Sequence, residues 1–135
     1  LVFQNFNLIE GLSVYENLLA PFALTNFKAN VREEMIKKAL ELANISHKRD
    51  ENVSNLSGGE RQRCAVARAL SMDADIILAD EPTANLDRQN ARAFLGLLES
   101  FKALKKSVIV ATHDSIFDEL GATDRVVSLQ NGEIV

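Results

Sequence analysis

In none of the 135 residues is a glycine followed by a lysine. The loop G-x-x-x-x-G-K-[ST], whose backbone amides and lysine cradle nucleotide phosphates, is therefore missing. Cysteine is almost missing as well: the lone Cys64 closes no internal disulfide, suits a reducing compartment and reads as a small hydrophobe within a helix. No apolar run reaches about 18 residues, so no segment reads as a membrane-spanning helix. There is no basic excess, 15 Lys and Arg standing against 19 Asp and Glu for a net charge of −4, which speaks against a nucleic-acid groove. Repeats and low-complexity segments do not occur. The remainder is ordinary globular usage, 47% apolar and 25% charged, enough for one core.

Against these absences stands the run Leu56-Ser57-Gly58-Gly59-Glu60-Arg61-Gln62-Arg63. Ser57 followed three residues later by Glu60 forms a capping box, which predicts a helix start. Two glycines in that first turn leave room for phosphate oxygens to approach free backbone N–H groups, where the helix dipole is positive. An ordinary capped helix is the alternative for this segment taken alone. Arg61 and Arg63 read as partners in surface ion pairs, and His47 as a solvated residue.

Further on, Asp75-Ile76-Ile77-Leu78-Ala79-Asp80-Glu81-Pro82 is an apolar run ending in two carboxylates. It predicts a buried parallel strand that delivers both to its C-terminal end, the edge at which open α/β sheets bind ligands. Val108-Ile109-Val110-Ala111-Thr112 ends likewise in His113-Asp114, and Leu1-Val2-Phe3 runs into Gln4. Two carboxylates, an imidazole and an amide at one edge are the groups that phosphoryl transfer with Mg²⁺ requires.

Taken in order, these residues resemble the nucleotide-binding domain of ABC ATPases over nearly the whole chain. Gln4 resembles the Q-loop glutamine, Leu56 to Arg63 the ABC signature, and Ile76 to Asp80 the Walker B strand with Glu81 as its following glutamate. Ala84-Asn85-Leu86-Asp87 is similar to the D-loop, and His113 to the H-loop histidine. The stretch from Ala79 to Asp87 is most similar to the lipoprotein-release, macrolide-export and cell-division branch, although Ala84 stands where that branch usually carries Gly. The resemblance implies a partial P-loop NTPase fold of the α/β class, with a mostly parallel sheet and a helical subdomain. It also implies that the missing phosphate loop belongs before the Q-loop, so the chain is expected to be the C-terminal part of a longer domain.

The same resemblance implies the roles. ATP and Mg²⁺ are the expected cofactors, with Asp80 and Gln4 on the metal side. Glu81, His113 and Gln4 are the expected catalytic groups. Ser57, Gly58, Gly59 and Asp87 are expected to meet nucleotide held by a second, head-to-tail copy. The other expected partner is a membrane-spanning transporter subunit, which places the chain on the cytoplasmic face of the membrane; no nucleic acid is expected.

Periodicity fills in the elements. Ser13-Val14-Tyr15-Glu16 is a second capping box that opens a helix toward Asn26, broken or bent by Pro21. Helices are further expected from Asn30 or Val31 to Ala43, from Gly58 to about Ser71 and from about Arg88 to Leu104, the last with Ala91, Phe94, Leu98 and Phe101 on one face. Strands are expected at Ser107 to Thr112 and Arg125 to Leu129, with a short helix at Ser115 to Gly121 between them. Asn131-Gly132 is a hairpin turn leading to Ile134-Val135. The expected division is a helical subdomain over about 5–72 and an α/β part over 73–135.

Three readings stay open on the sequence. The first is the ATPase subunit of a transporter. The second is an ATPase of the same fold that moves no solute, such as a cell-division regulator; long coiled coils and zinc inserts are disfavoured by the 51 residues between Gln4 and Leu56, which hold no heptads. The third is a truncated module that folds and pairs without catalysis.

Overall fold

The computed structural model describes residues 2, 5–119 and 123–135. Both capping boxes form. At Val14–Leu19 (α1), the Ser13 N–H donates to the Glu16 carboxylate (2.7 Å) while the Glu16 N–H donates to Ser13 Oγ (3.2 Å). Pro21 then sits in the first turn of a 3₁₀ helix, Ala20–Leu24, which ends α1 because proline brings no N–H to continue it.

Ala29–Leu42 (α2) follows, and Gly58–Ser71 (α3) starts at the Ser57 cap. Asn44 ends α2 in the left-handed region (φ 51°) with the Ile45 N–H donating to Leu40 O and the Asn44 N–H to Glu41 O, a Schellman ending built without glycine. Lys105 (φ 58°) ends Arg88–Ala103 (α4) in the same way, its N–H on Lys102 O and that of Lys106 on Phe101 O. Non-glycine residues at these positions explain why composition alone leaves the helix ends a residue or two uncertain.

The strands Ile76–Asp80 (β1) and Ser107–Ala111 (β2) pair in parallel, with Ile76 opposite Ser107 and Asp80 opposite Ala111. Val2 lies parallel on the other edge of β1, donating to Leu78 O (2.8 Å) and accepting from the Asp80 N–H (2.9 Å). Because β1 and β2 end in step, the residues that follow them emerge side by side. That register is what builds the site.

One hydrophobic cluster joins helices and sheet: Leu18, Phe22, Ile36, Leu40 and Val66 share it with Ile77, Ala79, Phe94 and Phe101. The sequence predicts strands buried on both faces, and the structure differs. Alternate side chains of a strand point to opposite faces. Ile77 and Ala79 enter the cluster, while Ile76, Leu78 and Ile109 on the other face are 58%, 44% and 60% exposed.

The C-terminal strands are also shorter than expected. Residues 125–128 belong to no strand, and only Leu129–Gln130 (β3) pairs with Glu133–Ile134 (β4) across Asn131 (φ 52°) and Gly132 (φ 85°). Two successive positive φ values are the geometry that Asn-Gly favours in a two-residue hairpin. The short helix expected from Ser115 is a 3₁₀ turn, Ser115–Glu119, and its expected end at Gly121 lies outside the described residues.

Candidate functional site

Glu81 follows the last residue of β1 in the left-handed region (φ 43°), an unfavourable conformation for a residue with a Cβ. Its N–H donates to Ala111 O at the end of β2 (2.8 Å), which holds the turn in place. The carboxylate is held at both oxygens: Oε2 accepts from the Thr112 hydroxyl (3.1 Å), and Oε1 lies 2.6 Å from His113 Nδ1. Hydrogen bonding to His113 holds the Glu81 carboxyl below its usual range, and the same contact raises the His113 imidazole above its own. The Glu81 side chain is largely covered at 23% exposure, whereas the His113 ring stands out at 86%. The pairing with the carboxylate favours the protonated imidazole.

Thr112 works in both directions. While donating to Glu81, its hydroxyl accepts the Asp114 N–H (3.0 Å). Asp114 in turn accepts from the hydroxyl of buried Thr83 (2.7 Å) and from the Ile116 N–H (3.0 Å), bonds that hold its carboxyl low. Thus the ends of the two strands are tied by Thr112 on Glu81, and the segments beyond them by Thr83 on Asp114. The sequence marks His113-Asp114 as a polar pair but gives no sign that Asp114 serves Thr83.

Asp80 closes β1 on the same edge and its side chain is exposed. No group of three metal-ligating side chains occurs among the described residues. Mg²⁺ keeps several waters and takes one or two carboxylates together with substrate phosphates, and the open Asp80 carboxylate is a ligand of that kind. Gln4, the other residue assigned to the metal, lies outside the described residues.

At the start of α3, the Ser57 N–H donates to Glu60 Oε2 (2.8 Å) and the Glu60 N–H to Ser57 Oγ (3.4 Å). This leaves the amides of Gly58 and Gly59 as the open donors of the first turn. The space beside the glycines is partly taken by the chain itself. A Cβ on Gly59 would lie 2.1 Å from Asn90 Oδ1, and one on Gly58 would lie 3.6 Å from Asn85 O. Sequence reasoning attributes the missing side chains to phosphate approach alone. At Gly59 they also admit Asn90.

Asp87 caps α4, accepting the Asn90 N–H (2.8 Å) on one oxygen and the Asn90 side-chain amide (2.9 Å) on the other. These bonds, the backbone one first, hold its carboxyl below the ordinary value. The sequence does not single out Asn90, since Asp87-x-x-Asn90 departs from the Ser/Thr-x-x-Glu/Gln pattern of a capping box. Gln62, buried in α3, donates to Pro82 O (2.9 Å) and so ties that helix to the segment just after Glu81. Arg61 pairs with Glu10, as the surface reading of Arg61 expects.

Three comparisons with known proteins bear on this arrangement. A family model described as ABC transporter matches residues 1–84. The macrolide export ATP-binding/permease protein MacB of Chlorobaculum tepidum is 34% identical over 134 residues, 99% of this chain and 20% of that protein. The methionine import ATP-binding protein MetN 4 of Oceanobacillus iheyensis is 35% identical over 137 residues, covering 100% of this chain and 39% of that protein. Among solved structures, the dimeric MJ0796, a bacterial ABC transporter cassette, matches with a TM-score of 0.80 at 34% identity over 98% of this chain and 59% of its own. The chain therefore spans well under two thirds of the length of each of these relatives.

Proposed function

Because this chain belongs to the ABC transporter family, we propose that it carries the hydrolytic half of an ATP-binding subunit whose turnover drives a membrane-spanning partner. The observation that carries this reading is the Glu81–His113 pair beside Asp80 at one sheet edge.

The chemistry follows from these groups. A water attacks the γ-phosphorus of ATP, its proton passes to the Glu81 carboxylate, and the bond to the β,γ-bridging oxygen breaks to leave ADP and phosphate. Thr112 and His113 fix the Glu81 carboxylate, and its remaining lone pairs would take that proton. With Nδ1 turned to Glu81, the His113 imidazole keeps Nε2 to donate toward the γ-phosphate. Asp80 would hold Mg²⁺ through water, Gln4 being the other residue assigned to it, and the ion would supply charge neutralisation on the phosphates.

The start of α3, with Ser57, Gly58 and Gly59, and the Asp87 cap of α4 would face nucleotide held by a second copy arranged head to tail. The dimeric MJ0796 cassette supports such pairing. On this reading residues 5–72 form the helical subdomain and 73–135 part of the α/β core, on the cytoplasmic face of the membrane. For the 135-residue polypeptide taken alone, the missing Gly-Lys pair favours a second reading, a module that folds without holding ATP.

One experiment addresses both. Mg²⁺-dependent phosphate release and calorimetric ATP binding are measured on the full-length protein, its Asp80→Asn variant and the 135-residue polypeptide. Turnover by the full-length protein, its loss in Asp80→Asn and no micromolar binding by the polypeptide are expected. Undiminished turnover in Asp80→Asn sinks the metal assignment, and micromolar ATP binding by the polypeptide sinks the second reading.

A further inference from the structure

The start of α3 and the start of α4 meet at one point in the fold. Asn90 lies in the first turn of α4, and its side chain does two things at once. Its Nδ2 donates to Asp87 Oδ2 (2.9 Å), and its Oδ1 occupies the place where a Cβ of Gly59 would be, 2.1 Å away. Gly59 is itself buried, so the contact is made inside the fold. We propose that Asn90 is a positioning residue that registers the Asp87 carboxylate against the first turn of α3, and that the missing side chain at residue 59 also serves to admit it.

A capping aspartate held only by the N–H groups of its own helix has its direction set by that helix alone. Asp87 has a second holder, and that holder is wedged against another helix. Any side chain at 59 displaces the Asn90 amide, because real Cβ atoms essentially never approach a heavy atom within 3.0 Å. The displaced amide then releases Asp87 Oδ2. Gln62 adds an independent tie from α3 to Pro82, so α3 touches the segment 82–90 near both of its ends. Movement of the α3 start is thereby passed to Asp87 through one side chain, without a change in the backbone between them. The functional weight of this contact rests on the proposed meeting of both helix starts with a second copy.

A double-mutant cycle tests it. In the full-length protein, Asn90→Ala, Gly59→Ala and the double variant are compared for ATP turnover, KM, ATP-dependent dimerisation and the ¹³C titration of the Asp87 carboxyl. Each single change is expected to lower kcat at least fivefold with KM for ATP within twofold, and to raise the Asp87 midpoint toward the ordinary aspartate value. In unfolding midpoint and Asp87 titration the double variant is expected to be no worse than Asn90→Ala alone, since the alanine at 90 vacates the space that a methyl at 59 needs. Unfolding losses that simply add, or an Asp87 titration unmoved by Asn90→Ala, overturn the proposal; turnover stays outside the cycle because Gly59 would also face the second copy's nucleotide. If the wild-type protein fails to hydrolyse ATP, the functional reading falls, while the Asp87 titrations and a cycle of unfolding midpoints still decide whether 59 and 90 are coupled. Should Asn90→Ala fail to fold, Asn90→Ser, which keeps a short polar group free of the clash, supplies the same comparison.

Discussion

The His113 ring is held 2.6 Å from Glu81 Oε1, yet the two side chains live in different surroundings, the carboxylate largely covered and the imidazole in solvent. The pair sets a pH window. His113 is raised by Glu81, so the contribution of the contact is fully present below the unfolded histidine value of about 6.5 and is lost as pH rises through the folded value. Glu81 is lowered by His113, so its share is present above the unfolded glutamate value of about 4.3 and is lost as pH falls through the folded value. Between these limits the pair is an imidazolium on a carboxylate. Because the ring is exposed, the readout is titration rather than stability. NMR titration of His113 should show a midpoint above about 6.5 that falls in Glu81→Gln. An unchanged midpoint in the variant removes the pair.

In the full-length protein the same Glu81→Gln change should preserve ATP binding and cut turnover by at least about 100-fold, the scale of a lost general base. The amide keeps the size of the side chain and still accepts the Thr112 hydroxyl, but takes no proton from water. An ATP-bound dimer should accumulate, visible as an earlier peak in size-exclusion chromatography. Phosphate release near the wild-type rate would show that another group is the base.

Much of this site was legible because its parts lie close along the sequence. Ser57 and Glu60, or Asp80 and Glu81, sit in runs whose patterning fixes both element and edge, and the β1–β2 register then brings Glu81 to His113. What was not legible depends on residues distant in sequence: Thr83 on Asp114, Gln62 on Pro82, Asn90 against Gly59. No period or motif encodes such contacts, since each arises from how two elements pack. The over-long strand expected at 125–129 has a related cause. Val126 and Val127 carry β propensity, but propensity makes a strand only where a neighbour supplies the ladder, and among the described residues the ladder begins at Ser128, whose carbonyl accepts from the Val135 N–H.

Cys64 should be chemically silent in the folded protein. It is buried in α3, and burial pushes its thiol up to about 12, leaving almost no thiolate at neutral pH. A chromogenic disulfide reagent should therefore react with it only as fast as the protein opens, and at the free-thiol rate in denaturant. Prompt reaction in native buffer would mean that the α3 packing is open where the structure has it closed.

The last prediction concerns the chain that follows Gln4. Phe6 and Asn7 both take left-handed φ values, 60° and 45°, a costly pair for residues with side chains. Something outside the turn must hold it, and Arg68 does. From α3 its guanidinium donates to Phe6 O (2.8 Å) and to Asn7 O (2.6 Å), while buried Asn17 holds Ile9 at both its N–H and its carbonyl. The planar fork of arginine reaches two adjacent carbonyls at once, and a lysine ammonium on its single flexible stem does not reproduce that geometry. Hydrogen bonds from a charged donor contribute roughly 1.5–3 kcal/mol each, and a half-buried guanidinium recovers part of this from water when released. Arg68→Ala should thus cost about 2 kcal/mol in urea unfolding, with Arg68→Lys recovering less than half of it. Proteolysis should cut between residues 5 and 12 faster in both variants. A loss below about 0.5 kcal/mol, the range of ordinary surface substitutions, with no new cleavage would show that the turn at Phe6 and Asn7 is held by other contacts.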